Sequence, residues 1–494
     1  MITLNRMKRN LTGFLLLLTM SFSFISCGED YLDELPTDAV NADDAVSTTS
    51  NLLTIVNGMH RMLYSRDGGQ GYGGLGTWHV YNEALADDMV LNGNSGYWFG
   101  AARWIDHRTD ISGYVAHHWR FFYKLINHAN RIIEGAEVAE GIEDERNLVL
   151  GQAYAYRALA HFNLVQMFGK RYNAGGLNSQ PGIPLMLEVT QEGKARSSVE
   201  DVYAQINADL DQAISLLTEK RTNKSHFNKA VVQGLKARVA LVQGNYTVAA
   251  DMAAKARAGF PLMDQETYAS GFNDYNVGEW MWGAHLNAEQ QDTYLNWMAW
   301  MSRNFSSTNI RTSPKSINSK LYDLIPETDI RKTLFSPDGE HPDVTLLSTH
   351  QKFPYTSQKF LAYNTGDSRG DVVFMRAAEM YLIEAEAKGR LDDFAGAQEV
   401  LTELALARDD NYVPSGNTGQ ALIDEILLQR RWELWGEGFR FVDLKRLNAD
   451  LDRNGTNHNE STILTMFVEA GGDEWQFIIP IDELNANELM EQNP

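Results

Sequence analysis

Between Ala230 and Ala256 small residues recur at helical spacing on both sides of a reversal signal, a pattern few folds accept. Ala230, Gly234, Ala237 and Leu241 fall three and four apart on one helix face. Gly244-Asn245-Tyr246 stops that helix and turns the chain. Ala249, Ala253 and Ala256 then form a second stripe of small side chains. Facing stripes of this kind let two helices pack closely, so the segment is predicted to be a tight helical hairpin. The arrangement recurs late: Met375, Ala378, Leu382 and Ala385 precede Gly389-Arg390, and Phe394, Ala397, Leu401 and Leu404 follow. Earlier, Trp119, Tyr123, Ile126, Asn130 and Ile133 share one face, as do Leu150, Tyr154, Ala158, Phe162 and Val165.

This is the packing logic of tetratricopeptide hairpins, without a strict repeat period. The predicted fold is mainly α: tetratricopeptide-like helical hairpins with an irregular, loop-rich ligand-binding subdomain. Residues 44–258 form the first helical region, 259–370 the irregular aromatic-rich subdomain, and 371–494 the C-terminal region with the late hairpin. The middle segment is rich in Asn, Ser, Tyr and Trp, and Pro261, Pro314, Pro326 and Pro354 break it up. Within it Trp280-Met281-Trp282 reads as a short strand with both tryptophans on one face. Two more irregular stretches run from Arg66 to Gly76, rich in glycine, and from Asn92 to Gly113. Long loops in a compact protein are commonly functional.

The N-terminus carries an address. Arg6, Lys8 and Arg9 precede an apolar run from Leu11 to Ile25, shorter than the roughly 20 residues needed to span a bilayer. Residues 1–26 therefore read as a signal peptide. It ends in Ser26 before Cys27, the only cysteine, in the manner of a bacterial lipobox. A lone cysteine forms no internal disulfide, and its place at the boundary marks it for lipidation. One acyl chain holds a protein marginally and two or more hold it stably. Residues 27–43, polar and carrying Pro36, form a tether. The formal net charge of −22 disfavours nucleic acid or anionic lipid as the main partner.

The C-terminal third resembles a known family. Arg430-Arg431-Trp432-Glu433-Leu434, Glu437-Gly438-Phe439-Arg440 and Asp443-Leu444-Lys445-Arg446 are similar to the signature of the SusD/RagB outer-membrane lipoproteins of Bacteroidetes. Gln429 stands where the family usually has Glu before the paired arginines. Arg376 to Ala387 resembles the helix that opens the family's late hairpin, and Ile479-Pro480-Ile481-Asp482-Glu483 with Gln492-Asn493-Pro494 resembles its ending. Glu488 replaces a frequent proline there. Trp119, Tyr123, Ile126 and Asn130 match the early helix, Leu32-Asp33 with Pro36 match the start, and Glu29-Asp30 resemble the surface-export signal. The resemblance implies a protein seated on a SusC-like TonB-dependent transporter. It captures a nutrient, most often an oligosaccharide, and passes it on without a cofactor. Its helices would face the transporter and its ligand site would lie in the irregular part.

Chemistry narrows the site. Glu433, Glu437, Arg440 and Asp443 lie three or four apart and read as a structural ion-pair network rather than an acid/base pair. Gly71-Tyr72-Gly73-Gly74-Leu75-Gly76 matches a dinucleotide fingerprint in spelling only, because a helical pattern, Leu52 to Tyr64, precedes it. It reads as a mobile loop. Adjacent His117-His118 point about 100° apart on a helix and do not share a metal ion easily. Aromatics are more informative, since sugar C–H faces stack on rings while hydroxyls pair with Asn, Asp and Arg. Tyr294, Trp297 and Trp300 flank a polar run, and Tyr97 and Trp98 form a second platform. Arg66, Asp67 and Asn94 stand by for hydroxyl contacts. Trp119, Trp282, Trp432 and Trp435 read as core. The expected role is glycan capture at the outer-membrane surface, with no catalytic or metal residues. The rivals are a surface glycoside hydrolase, a pure protein-binding scaffold, and capture of a peptide or other nutrient.

Overall fold

The computed structural model describes residues 44–94, 96–290, 293–294 and 296–494. Residues 1–43, which hold the expected signal peptide, Cys27 and the expected tether, lie outside the described residues. The first helical group comprises α1 (Thr49–Met62), α2 (Gly74–Leu85), α3 (Gly113–Gly135), α4 (Glu143–Phe168), α5 (Val199–Leu216), α6 (Lys229–Gln243) and α7 (Tyr246–Arg257). The second comprises α8 (Ala377–Arg390), α9 (Phe394–Leu406), α10 (Gln420–Glu433) and α11 (Arg440–Leu447). Sequence-local caps set their starts. Ser112, Ser198, Asn228 and Asp393 each accept the N–H three residues on, satisfying a donor the first turn leaves open.

The hairpin α6–α7 forms as the small-residue stripes require. Gly244 ends α6 in the left-handed region (φ 71°), and its N–H returns to the carbonyls of Ala240 and Leu241. Ala230, Gly234, Ala237 and Leu241 are buried, as are Ala249, Ala253 and Ala256 across from them. Helix α7 then packs on α8, so the two helical groups are contiguous in space although the long insertion separates them in sequence. Met375 departs from the expected helix face: it belongs to a strand, and its sulfur lies against Gly234, where a Cβ would collide with it.

Two small antiparallel sheets stitch the insertion to both groups. β1 (Met89–Leu91) pairs with β3 (Lys315–Ile317), which continues to β5 (Thr356–Ser357) and β4 (Phe335–Ser336). In that sheet Val90 faces Ser316, and Ser316 faces Thr356. β2 (Trp280–Ala284) pairs with β6 (Val372–Arg376), with Gly283 opposite Val373. The strand expected at Trp280-Met281-Trp282 is present and longer. It is irregular between Trp280 and Gly283, and all five residues are buried, so both faces meet core. Trp119, Trp282, Trp432 and Trp435 are core as expected.

Charges knit the C-terminal signature into this frame. Glu433 accepts from Arg376 at 2.5 Å, Arg408 at 3.0 Å and Arg331 at 3.3 Å. Glu437 accepts from Arg376 at 2.8 Å and Lys359 at 2.7 Å. Arg440 holds Asp87 and Arg431 holds Asp88. Asp443 bonds Arg430 and Arg446. The network is structural, but most partners come from distant segments rather than from neighbouring helical turns. Gln429, the departure from the family signature, accepts from Arg331 at 2.6 Å.

Glu83 on α2 is a buried carboxyl of the opposite kind. Its Oε1 accepts the N–H groups of Gly438 at 2.8 Å and Phe439 at 3.1 Å, while Oε2 has no partner. Burial, with Asp88 adding to it, pushes its pKa up to about 8. A raised carboxyl stabilises the fold below its unfolded pKa, and that contribution is lost as pH climbs toward 8. Glu83→Gln keeps an oxygen for both N–H groups and has nothing to ionise. It is expected to gain about 1 kcal/mol on the wild type between pH 7 and pH 9 in urea unfolding. A pH-independent difference would refute this reading.

Candidate functional site

Three irregular stretches marked in the sequence meet at one surface. Tyr97 Oη donates to Gln70 Oε1 at 2.9 Å, and Gln70 Nε2 donates to the Tyr294 carbonyl at 3.5 Å. Gln70 thus bridges the glycine-rich loop, the loop after β1 and the insertion. Tyr294 is 54% exposed, and Tyr72, Tyr97 and Tyr114 are half-buried. Tyr72 meets Tyr114 edge-on at 5.6 Å and stacks on His117 at 4.5 Å. Burial and the neighbouring Asp106 raise the Tyr114 pKa, so its hydroxyl keeps its proton.

Beneath these rings lie the tryptophans, and here the expectation needs correction. Trp98 is 2% exposed, Trp297 5% and Trp300 0%, so none offers an open face for stacking. Trp98 takes left-handed backbone (φ 75°) at the head of the turn Phe99–Ala102. Its ring packs at 5.1 Å edge-on to Trp300 and at 5.3 Å from Tyr114. Trp300 in turn lies 4.9 Å from Tyr97. Trp297 stands just before the short helical turn Met298–Met301 and packs on Phe360 at 5.4 Å, away from the Tyr97–Trp98–Trp300 contacts. Trp98 and Trp300 thus support Tyr97 and Tyr114, whereas the Tyr294 ring packs on Phe305 at 6.0 Å.

The polar candidates divide. Arg66 is exposed and its Nε donates to the Gly68 carbonyl. Asp67 receives the shape of the same loop, its N–H bonding the Tyr72 carbonyl at 3.0 Å, and its carboxylate lies 3.8 Å from Lys124. Asn94 is exposed and lines a different hollow of about 480 Å³ with Asn92, Phe353 and Asn457. Gln70, Tyr72 and Tyr114 were not singled out by sequence. Tyr72 lay inside the glycine run and Tyr114 beside Gly113, positions whose composition signals a turn and hides a ring contact.

The glycine run follows α1 rather than a strand, and its second half, from Gly74, already belongs to α2. His117 and His118 are both buried, the latter against Trp78 and Phe122. Burial lowers the His117 pKa to about 4. Among the described residues no group of three or more His, Cys, Asp or Glu is placed to hold a metal ion. No described helix is long and apolar enough to cross a membrane.

Comparison with known proteins fits this architecture. Residues 30–241 match a SusD-like family model described as starch-binding and associating with the outer membrane. Residues 338–494 match the model of the SusD family. SusD-like protein P2 of Formosa agariphila is 24% identical over 504 residues, covering 91% of this chain and 92% of that protein. A SusD-like carbohydrate binding protein from Bacteroides vulgatus superposes with a TM-score of 0.79 at 25% identity, covering 90% and 97% of the two chains. A laminarin binding SusD-like protein superposes with a TM-score of 0.71 at 22% identity, covering 91% and 99%. From the early helices to the final residues, then, the chain belongs to the SusD/RagB family.

Proposed function

We propose that this protein captures oligosaccharide at the outer-membrane surface and delivers it to a TonB-dependent transporter, held there by lipid on Cys27. The observation that carries the reading is the convergence of Gln70, Tyr97 and the exposed Tyr294, with Tyr97 seated on buried Trp98 and Trp300. Tyr97 is held by Trp98 and Trp300, and a ring fixed by packing loses little entropy when a sugar stacks on it. Arg66 and Asp67 on the adjoining loop supply hydroxyl contacts. Starch-binding association in the family description and laminarin binding by a structural neighbour support a glucan as ligand. The signature carboxylates Glu433 and Glu437 are buried and engaged by arginine and lysine, which favours binding over hydrolysis.

The test is calorimetric titration with maltoheptaose and laminarin, with product analysis alongside. Tyr294→Ala is expected to weaken binding by about 1–1.5 kcal/mol, roughly tenfold, with the melting temperature unchanged because the ring is exposed. No new reducing ends should appear. Unchanged affinity in Tyr294→Ala, or release of shortened glycan, would overturn the proposal.

A further inference from the structure

A second cleft, of about 450 Å³, opens where the end of α1 meets the turn before α6 and the loop after β2. That volume lies within the roughly 300–1,000 Å³ of small-molecule sites. His60, Tyr64, His226, Tyr275 and His285 line it together with several side-chain amides. Among the described residues no aspartate or glutamate lines it.

At its base His60 is buried, and its Nε2 has no partner. Its Nδ1 bonds the hydroxyl of Tyr156, for which no other acceptor is present among the described residues. The hydroxyl proton therefore goes to Nδ1, and the imidazole carries its own proton on Nε2. Burial, and then His226 beside it, lower the His60 pKa well below the usual range and keep the ring neutral. An unsatisfied N–H donor thus lies just beneath the cleft surface, on a residue that lines it. Leaving such a group dry costs free energy, so an acceptor oxygen that reached it would gain a hydrogen bond.

The walls are fixed in advance. His226 Nε2 donates to Asn57 Oδ1 at 3.0 Å, which assigns the acceptor Nδ1 to the Ser225 hydroxyl at 3.3 Å. Asp371 accepts from His285 Nδ1 at 2.9 Å, from the Leu286 N–H at 2.9 Å and from the Tyr275 N–H at 2.7 Å. One carboxylate behind the wall thereby locks the β2 loop to Tyr275. Among the described residues a cation would find no carboxylate lining the cleft, and an anion only Arg61. Neutral donors, neutral acceptors and two tyrosine rings instead match a polyol.

We infer that this cleft is a second sugar-binding site, taking one or two neutral pyranose residues with a ring or hydroxyl oxygen on His60 Nε2. The inference deepens the capture reading and rests on it for the class of ligand. The test is crystallography of the mature protein, Cys27 onward, soaked in maltotriose and in laminaritriose, with calorimetry of Asn57→Ala, Tyr64→Ala and Tyr294→Ala. The expected result is sugar in the cleft within hydrogen-bond distance of His60 Nε2, retained in Tyr294→Ala crystals. Asn57→Ala and Tyr64→Ala should each weaken binding roughly five- to tenfold. Sugar only on the Tyr97–Tyr294 surface, with water on His60, overturns the second site and leaves capture standing. Sugar at neither place overturns both.

Discussion

Arg376→Met is expected to cost about 3–5 kcal/mol, the largest loss of any single charged residue in this fold. Arg376 is fully buried and donates to Glu279 at 2.7 Å, to Glu433 at 2.5 Å and to Glu437 at 2.9 and 2.8 Å. A fifth bond reaches the Glu433 carbonyl at 2.6 Å. Methionine fills the volume but leaves three buried carboxylates short of a cation, and Arg408, Arg331 and Lys359 are already committed. Arg376→Lys should rescue little, because one ammonium cannot reproduce a planar fork shared by three carboxylates.

The acid limb of the same experiment has a defined sign. Burial would raise the Glu433 pKa, but the guanidiniums of Arg408, Arg376 and Arg331 outweigh it and hold the carboxyl well below the usual range. Glu437 is depressed likewise, burial being opposed by Arg376 and Lys359. Depressed carboxyls stabilise the fold above their unfolded pKa and lose that contribution only as pH falls through the folded value. The wild type should therefore keep most of this contribution at pH 4, whereas in Arg376→Met the two carboxyls rise toward their unfolded pKa, so acidification costs the variant less and its deficit against the wild type should shrink from pH 7 to pH 4. Urea unfolding at both pH values measures it. A loss below about 1 kcal/mol at pH 7 would mean that the network relaxes around the gap.

What was legible in the sequence follows from the range of the forces involved. The α6–α7 hairpin is written locally, in stripes three and four apart and a glycine that only left-handed backbone requires, and it formed as read. The C-terminal signature was legible as charge, but its partners were not. Arg431 and Arg440 reach Asp88 and Asp87, more than 300 residues away, and no periodicity announces such a pair. β1, β3, β4 and β5 are two or three residues long, too short for alternation to show. Met375 carried helical spacing yet became strand, because β2 offered it a partner.

The irregular stretches of the candidate surface were legible in the sequence, but the burial of their rings was not. Tryptophan density located the insertion's contribution, but composition does not say which side of a ring meets water. Trp98, Trp297 and Trp300 are large enough that core packing claims them, whereas Tyr294 and Tyr97 keep a polar edge at the surface. Gln70, the residue that joins the loops, is an ordinary polar side chain and carries no signal until the fold sets Tyr97 and Tyr294 beside it.

Gly74→Ala should couple these two levels, because the glycine run that resembles a nucleotide fingerprint has a purely architectural duty here. Gly74 sits at φ +62°, and a Cβ there would run into the carbonyl oxygens of Met62 and Leu63. Next to it the Leu75 N–H bonds the Leu63 carbonyl at 2.8 Å, tying the start of α2 to the end of α1. Alanine must adopt strained backbone, at about 1–2 kcal/mol, and also push two helices apart. A total of about 2–4 kcal/mol is expected, with weaker maltoheptaose binding because the displaced loop carries Gln70 and Tyr72. Gly68→Ala in the same loop separates the two costs. Its φ is +94°, and the nearest atom to a Cβ is Tyr72 Cδ2 at 3.9 Å, so only backbone strain applies. It should lose about 1 kcal/mol. Chemical unfolding and calorimetric titration of both variants decide the matter. If Gly74→Ala is no worse than Gly68→Ala, the α1–α2 contact is compliant and the loop's position rests on the buried tryptophans instead.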